Sequence, residues 1–375
     1  MIIERASKQD YAELMDLMVR CFRTVDPKHH RFEEILPDLY QPTEEHLSRH
    51  LVIRENSRIV SSLGIYPMDL KIGDVRLRVA GVGGVCTAPD RRGAGHMTAL
   101  MNAARAEIGR QGYALSWLSG IRARYARFGW EMAGSETGLS LPKPKRPGGK
   151  GEWEVSRLDA AGGSLKRVLA AREHLVTRGD CDEATLRLKF RRLGNEVWEA
   201  TLQERHAYLV LCRRMRWVCE WGGDPEGVDA LLRETTDAEG AWAVRLPPLR
   251  DGYTDLFLDC GERTGCRLGN LGVFDLPALL RAYEPYLAEI WPGDRTLRLA
   301  VEPGPGEAMD ACLSGGRVHP ELARADAELK LGLLKMTSLL FGPVRPSVLL
   351  DLPPGMRWLD QVLPLPFYVP MLWGV

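Results

Sequence analysis

The sequence predicts an α/β (α+β) protein built from more than one layered unit, and three observations carry that prediction. At 375 residues the chain exceeds what one hydrophobic core usually serves, and at about 100–200 residues per domain it divides into two or three. Its opening reads strand then helix, followed by further strands and a second helix. The stretch 142–151, Pro-Lys-Pro-Lys-Arg-Pro-Gly-Gly-Lys-Gly, can be neither helix nor central strand and reads as a solvated linker.

Residues 2–5 form the first expected strand. Ser7 can cap a helix that places Tyr11, Leu14, Leu17, Met18 and Phe22 at helical spacing. Three consecutive antiparallel strands are expected at 51–53, 59–70 and 75–85, separated by Glu55-Asn56-Ser57 and Gly73-Asp74. A turn at Pro89-Asp90, a glycine-containing loop, a helix over 96–110 and a short buried strand over 113–118 follow, and 128–141 is expected to close the unit. In the block 152–265 the patterning predicts helices at 165–174 and 182–193, then strands at 207–212, 217–221 and 254–259. The block 266–375 carries a helix at 276–283, strands near 296–302 and an apolar helical segment at 329–341.

Composition narrows the function. Hydrophobic residues make up 45%, charged 27% and aromatic 7%, globular values that give no reason for a disordered chain. Fifty Lys plus Arg cancel fifty Asp plus Glu, leaving no overall field to hold the chain on nucleic acid or an anionic membrane. The eight cysteines contain no Cys-x-x-Cys pair and fit reduced thiols. With no apolar leader in Met1 to Lys8 and no run of about 18 uncharged apolar residues, a cytoplasmic protein without a membrane span is expected.

The most informative segment is Gly81-Val82-Gly83-Gly84-Val85-Cys86-Thr87-Ala88-Pro89-Asp90-Arg91-Arg92-Gly93-Ala94-Gly95-His96-Met97-Thr98-Ala99-Leu100-Met101, which sets a strand, a tight basic loop and a helix start in succession. The first amides of a helix lack intrahelical acceptors and carry the positive end of its dipole, while Gly93 and Gly95 let a phosphate approach the backbone. The same residues fit an ordinary strand-to-helix turn whose arginines face water. The loop is neither a P-loop, since no Gly-Lys-Ser/Thr follows, nor Gly-x-Gly-x-x-Gly.

Pro89-x-x-Arg92-x-x-Gly95-x-Met97-Thr98-Ala99-Leu100-Met101 resembles the pyrophosphate loop of GNAT acetyltransferases, Arg/Gln-x-x-Gly-x-Gly/Ala. Met97 at the terminal small position, with Thr-Ala-Leu-Met after it, is similar to the Eis (enhanced intracellular survival) subgroup. Tyr125-Ala126-Arg127-Phe128-Gly129-Trp130 resembles that subgroup's Tyr-Gly-Arg-Phe-Gly-Tyr element. Residues 271–283 look like the start of the Eis C-terminal domain, and 327–342 like its sterol-carrier-protein-type fold. The resemblance therefore implies two tandem GNAT-like mixed-sheet units and a C-terminal SCP2-like α+β domain. Their expected bounds are 1–141 for the acetyltransferase domain, 142–151 for the linker, 152–265 for a second, degenerate unit and 266–375 for the sterol-carrier-like domain.

It also implies acetyl-CoA as co-substrate and no metal. The strand Val85-Cys86-Thr87 would pair with the pantetheine arm. The amides of Arg92, Gly93, Ala94, Gly95, His96, Met97 and Thr98 would hold the pyrophosphate, and Ser119 and Gly120 would lie beside the thioester. Tyr125 would protonate the leaving thiolate, and the carboxylate of Val375 would accept the amine proton. A core aromatic and a frayed end are the competing readings of those two residues. The implied acceptor is an amine, on a small molecule or a lysine of a peptide, and a closed homo-oligomer is implied.

Ile121-Arg122-Ala123-Arg124 stands where the family shows an acidic, glycine-rich stretch, which would repel a polycation. The segment 26–45, with Asp26, Glu33, Glu34, Asp38, Glu44 and Glu45, offers the opposite sign, so the acceptor stays unnamed. The alternative is a vestigial acetyltransferase that binds an apolar ligand through its C-terminal domain; aminoacyl transfer from a charged tRNA is a further rival that neutral charge disfavours. His46 and His50 read as surface side chains rather than a zinc pair, Cys86 as a buried small hydrophobe, and Arg178-Gly179-Asp180 as a solvated turn.

Overall fold

The structure, a computed structural model, describes residues 2–141, 153–158, 164–236, 241–260, 262–263, 269–304, 308–322 and 324–375; the expected linker 142–151 lies outside them. The described residues fold as mixed α/β layers on three sheets of eight, seven and four strands. No described helix is long and apolar enough to cross a membrane.

The first sheet begins as the sequence predicts. Strand β1 (Ile3–Arg5) leads through a short turn, with the Ser7 amide donating to Asp10, into α1 (Tyr11–Phe22), whose Leu14, Leu17 and Met18 are buried. Next come β2 (His50–Glu55), β3 (Arg58–Ile72) and β4 (Val75–Thr87), consecutive and antiparallel, with Gly73 in the left-handed region (φ 60°) at the β3–β4 turn. Helix α2 (His96–Arg110) crosses back, and β5 (Leu115–Leu118) pairs parallel to β4. After the short helix α3 (Arg122–Tyr125), β6 (Glu131–Ala133) completes the local run.

From there the structure departs from expectation. Strand β7 (Thr137–Leu141), expected to close the first sheet, pairs instead with Trp242–Leu246 of the second. Two distant segments serve the first sheet in its place. Strand β8 (Thr177–Asp180) extends it by pairing with Asp69–Ile72 of β3, and β9 (Gly269–Val273) lies between β5 and β6. Both exchanges are pairings across more than 100 residues, which no local periodicity encodes.

The second sheet also holds Asn195–Leu202, Arg205–Cys212 and Trp217–Gly223, while helices α4 (Ser164–Glu173) and α5 (Glu183–Phe190) lie where the sequence expects helices. The segment 254–259, expected as a strand, belongs to a helix, Thr254–Cys260. Asp251 accepts from the Tyr253 amide and the Thr254 hydroxyl at its start, and Phe257 is fully buried. A six-residue apolar run fits either period, and the Asp251 turn decides for the helix. The expected helix 329–341 is split: Ala327–Leu331 is a strand of the third sheet, and the helix runs from Leu333 to Phe341 after Gly332.

Candidate active site

The site is built where β4 and β5 part. Their parallel pairing ends at Val82 opposite Leu118, but β4 runs on to Thr87, bonded only to β3. A bulge sets the divergence: Gly83 faces Gly64 and Cys86 faces Ser62, so Gly84 and Val85 oppose Leu63 alone. Gly84 (φ 62°) takes the left-handed conformation this requires. Residues 83–87 therefore present an unpaired edge to the gap beyond β5. On the far side, Asn270 Nδ2 donates to Gly120 O at 2.9 Å, fixing the end of β5.

The loop 92–95 closes the bottom of the gap. Gly93 and Gly95 have φ of 86° and 81°, and a Cβ at either would meet nothing within 4 Å. Gly95 is the N-cap of the 15-residue α2, so the first amides of that helix are oriented into open space. Arg92 Nη2 donates to Thr24 Oγ1 at 2.9 Å, Arg127 Nη2 to Thr98 Oγ1 at 3.1 Å, and Arg91 pairs with Glu55 at 2.9 Å. His96 is buried, with Nε2 3.1 Å from Glu55. A cavity of about 580 Å³ fills this space.

Of the residues expected to bind cofactor, Val85, Cys86, Thr87, Arg92, Gly93, Gly95, His96, Met97 and Thr98 line that cavity, together with the expected proton donor Tyr125. Ala94 sits within the loop between two lining glycines, and Ser119 and Gly120 follow β5 with Gly120 directly under the Tyr125 ring: a Cβ there would lie 2.8 Å from Tyr125 Cε2. Arg91, expected with Arg92 to add charge to the anion site, lines it too, as do Cys21, Phe22, Val25, Arg124 and Arg127, which sequence reasoning did not select for cofactor binding. Tyr125 is 6% exposed; burial raises its phenol above the usual value, with the Arg124 guanidinium opposing. The proton thus stays on the oxygen at neutral pH.

Val375 lies at the same strand. A Cβ added to Gly83 would come within 3.0 Å of the Val375 carboxyl carbon, and one added to Gly81 within 3.0 Å of its side chain. Glycine inside a strand marks close approach of another chain segment, the signal that Gly81-Val82-Gly83-Gly84 carried. Beneath it, His50 is fully buried, with Nε2 3.2 Å from Tyr66 Oη, and burial pushes its pKa down to about 3. His50 is therefore a neutral core residue, not the surface side chain its spacing suggested, because it opens β2 rather than continuing the helix Glu44–Leu47.

The two charge features resolve differently. Arg122 Nη2 donates to Glu131 at 2.6 Å, leaving Arg124 as the guanidinium beside Tyr125. Asp38 is 5% exposed and bonded to Lys189 and Arg192, so it is not available to an acceptor. Glu33 and Glu45 pair with Arg31 and Arg49. Cys86 is buried, and the hydrogen bond its thiol donates to Cys21 together with burial raises its pKa well above the ordinary value, which suits a small core hydrophobe better than a nucleophile.

Residues 3–133 match the family model for the acetyltransferase (GNAT) domain. A conserved protein of unknown function from Enterococcus faecalis V583, a probable N-acyltransferase, is 17% identical with a TM-score of 0.69 over 98% of this chain and 99% of that one. Eis1 from Mycobacterium abscessus is 18% identical with a TM-score of 0.68 over 96% and 97%. A GCN5-related N-acetyltransferase from Anabaena variabilis is 16% identical with a TM-score of 0.69 over 96% of each chain. These likenesses extend the shared fold over almost the full length. No curated protein matches the chain in sequence.

Proposed function

We propose that the chain is an acetyl-CoA-dependent N-acetyltransferase that passes acetyl directly to an amine in the gap between β4 and β5. One observation carries the reading: a free strand edge, a helix N-terminus with two left-handed glycines and a buried tyrosine converge on a single cavity. The match of residues 3–133 to an acetyltransferase domain model supports it.

On this reading the edge of Val85, Cys86 and Thr87 pairs with the pantetheine amides, and the backbone from Arg92 to Thr98 holds the pyrophosphate, with Ser119 and Gly120 beside the thioester. The acceptor amine gives a proton to the Val375 carboxylate or to water. Its lone pair forms the C–N bond at the thioester carbonyl carbon. As the C–S bond breaks, Tyr125 Oη donates its proton to the departing sulfur and regains one from solvent. No step needs a metal. The charged lining is arginine only, Arg91, Arg92, Arg124 and Arg127, which favours an acceptor with few positive charges over a polycation.

We divide the chain on the same reading into the acetyltransferase unit, a second GNAT-like unit and a C-terminal sterol-carrier-like unit; three sheets support three units, with β7, β8 and β9 exchanged among them. Titration calorimetry with acetyl-CoA tests the reading. Binding that Arg92→Glu abolishes is expected. Absence of binding, or binding indifferent to that charge reversal, overturns it.

A further inference from the structure

A second constellation, buried and outside the cavity lining, is left unexplained by that mechanism. Asp38 receives Arg192 Nε and Nη2 at 2.8 and 2.7 Å and Lys189 Nζ at 2.8 Å, and all three residues are at most 8% exposed. Two cations thus face one carboxylate. The remaining donors go to the chain's last residues: Lys189 Nζ to Leu372 O at 3.0 Å and Arg192 Nη1 to Gly374 O at 3.2 Å.

Between these carbonyls Trp373 is held by two cations. Arg172 and Lys189 each lie 4.6 Å from the centre of its indole, and Arg172 is in turn fixed by Glu220. Gly179 forms the floor, where any Cβ would collide with the indole ring. Arg178-Gly179-Asp180, expected as a solvated turn, therefore lies in strand β8 with Arg178 and Gly179 buried. Burying cations is costly unless every donor is used, so the tail carbonyls and the cluster depend on each other.

We propose that Asp38, Lys189 and Arg192, with the Gly179 slot for Trp373, form a positioning site that sets the Val375 carboxylate beside Gly83, so that the second unit contributes to the reaction by aiming the base. The inference rests on the proposed role of Val375. Lys189, Arg192, Arg172 and Gly179 all come from α4, β8, α5 and the turn after it, and Asp38 from the first unit, so the site exists only when both are assembled.

The test is a double-variant cycle on the full chain, reading kcat, acetyl-CoA Kd and the pH profile of kcat. Arg192→Met and deletion of Val375 are each expected to lower kcat by about 10- to 100-fold with Kd changed less than twofold, since a displacement of about 1 Å costs on that order. Together they should cost no more than one alone, and Arg192→Lys should restore part of the rate. Trp373→Phe, a milder loosening, reads the same pattern if Arg192→Met does not fold. If deleting Val375 leaves kcat unchanged in an enzyme that turns over, the carboxylate is not the base and both readings of it fall. If the deletion lowers kcat but Arg192→Met either leaves it intact or multiplies the loss, the positioning site alone is overturned.

Discussion

The glycines of the cofactor loop and those of the tail seat make opposite use of the same missing side chain. At Gly93 and Gly95 a Cβ would meet nothing; the backbone needs a left-handed φ and the space is left open for a ligand. At Gly81, Gly83 and Gly179 the space is taken by Val375 and Trp373. One region is shaped by conformation and the other by contact, and only the first announces itself in a short stretch of sequence.

The comparison can be broken at four points. Tyr125→Phe, at the open cavity, should lower kcat by about 10²–10⁴ with acetyl-CoA affinity little changed, measured by steady-state rates and calorimetry; a drop of less than threefold removes the proton-donor role. Gly179→Ala, at the closed seat, should destabilise the fold by roughly 1–3 kcal/mol in urea, because the indole has no room to yield. Gly93→Ala should leave a stable protein but weaken acetyl-CoA by about fivefold, reflecting about 1 kcal/mol of left-handed strain with no clash; a loss of fold instead would show that the loop is packed.

The fourth point is a pH slope. Burial holds His50 neutral down to about 3, whereas the unfolded chain takes up its proton near 6.5. Stability from this residue is complete above about 6.5 and falls as the pH drops toward 3, by about 1.4 kcal/mol per unit. Urea unfolding of the parent chain and of His50→Gln between pH 7 and 4.5 should show that difference in slope; parallel lines would mean the imidazole is reached by solvent.

Legibility followed the range of the interaction. The strands β2 to β4, helix α2 and the loop residues Arg92 to Thr98 were readable because each is encoded within about twenty residues. The destination of β7 was not, since whether Thr137–Leu141 pairs with its neighbours or with Trp242–Leu246 depends on partners a hundred residues on. His50 was misread because its i, i+4 spacing to His46 crosses from a helix into a strand. The cluster of Asp38, Lys189 and Arg192 left no sequence signal, as three ordinary surface-type residues become a buried group only through tertiary approach.

The interleaved strands also fix an order in time. During synthesis, residues 3–133 emerge with β5 and β6 still lacking the strand that joins them, and β3 lacking its cover over Asp69–Ile72. Those edges stay open until β8 and then β9 leave the ribosome, and the tail seat fills last of all. Expressed as an isolated fragment, the acetyltransferase segment would carry three unsatisfied strand edges and is expected to associate through them. A working version must therefore be cut from the chain by contact rather than by sequence match, keeping β8, β9 and the last turn together with the first unit.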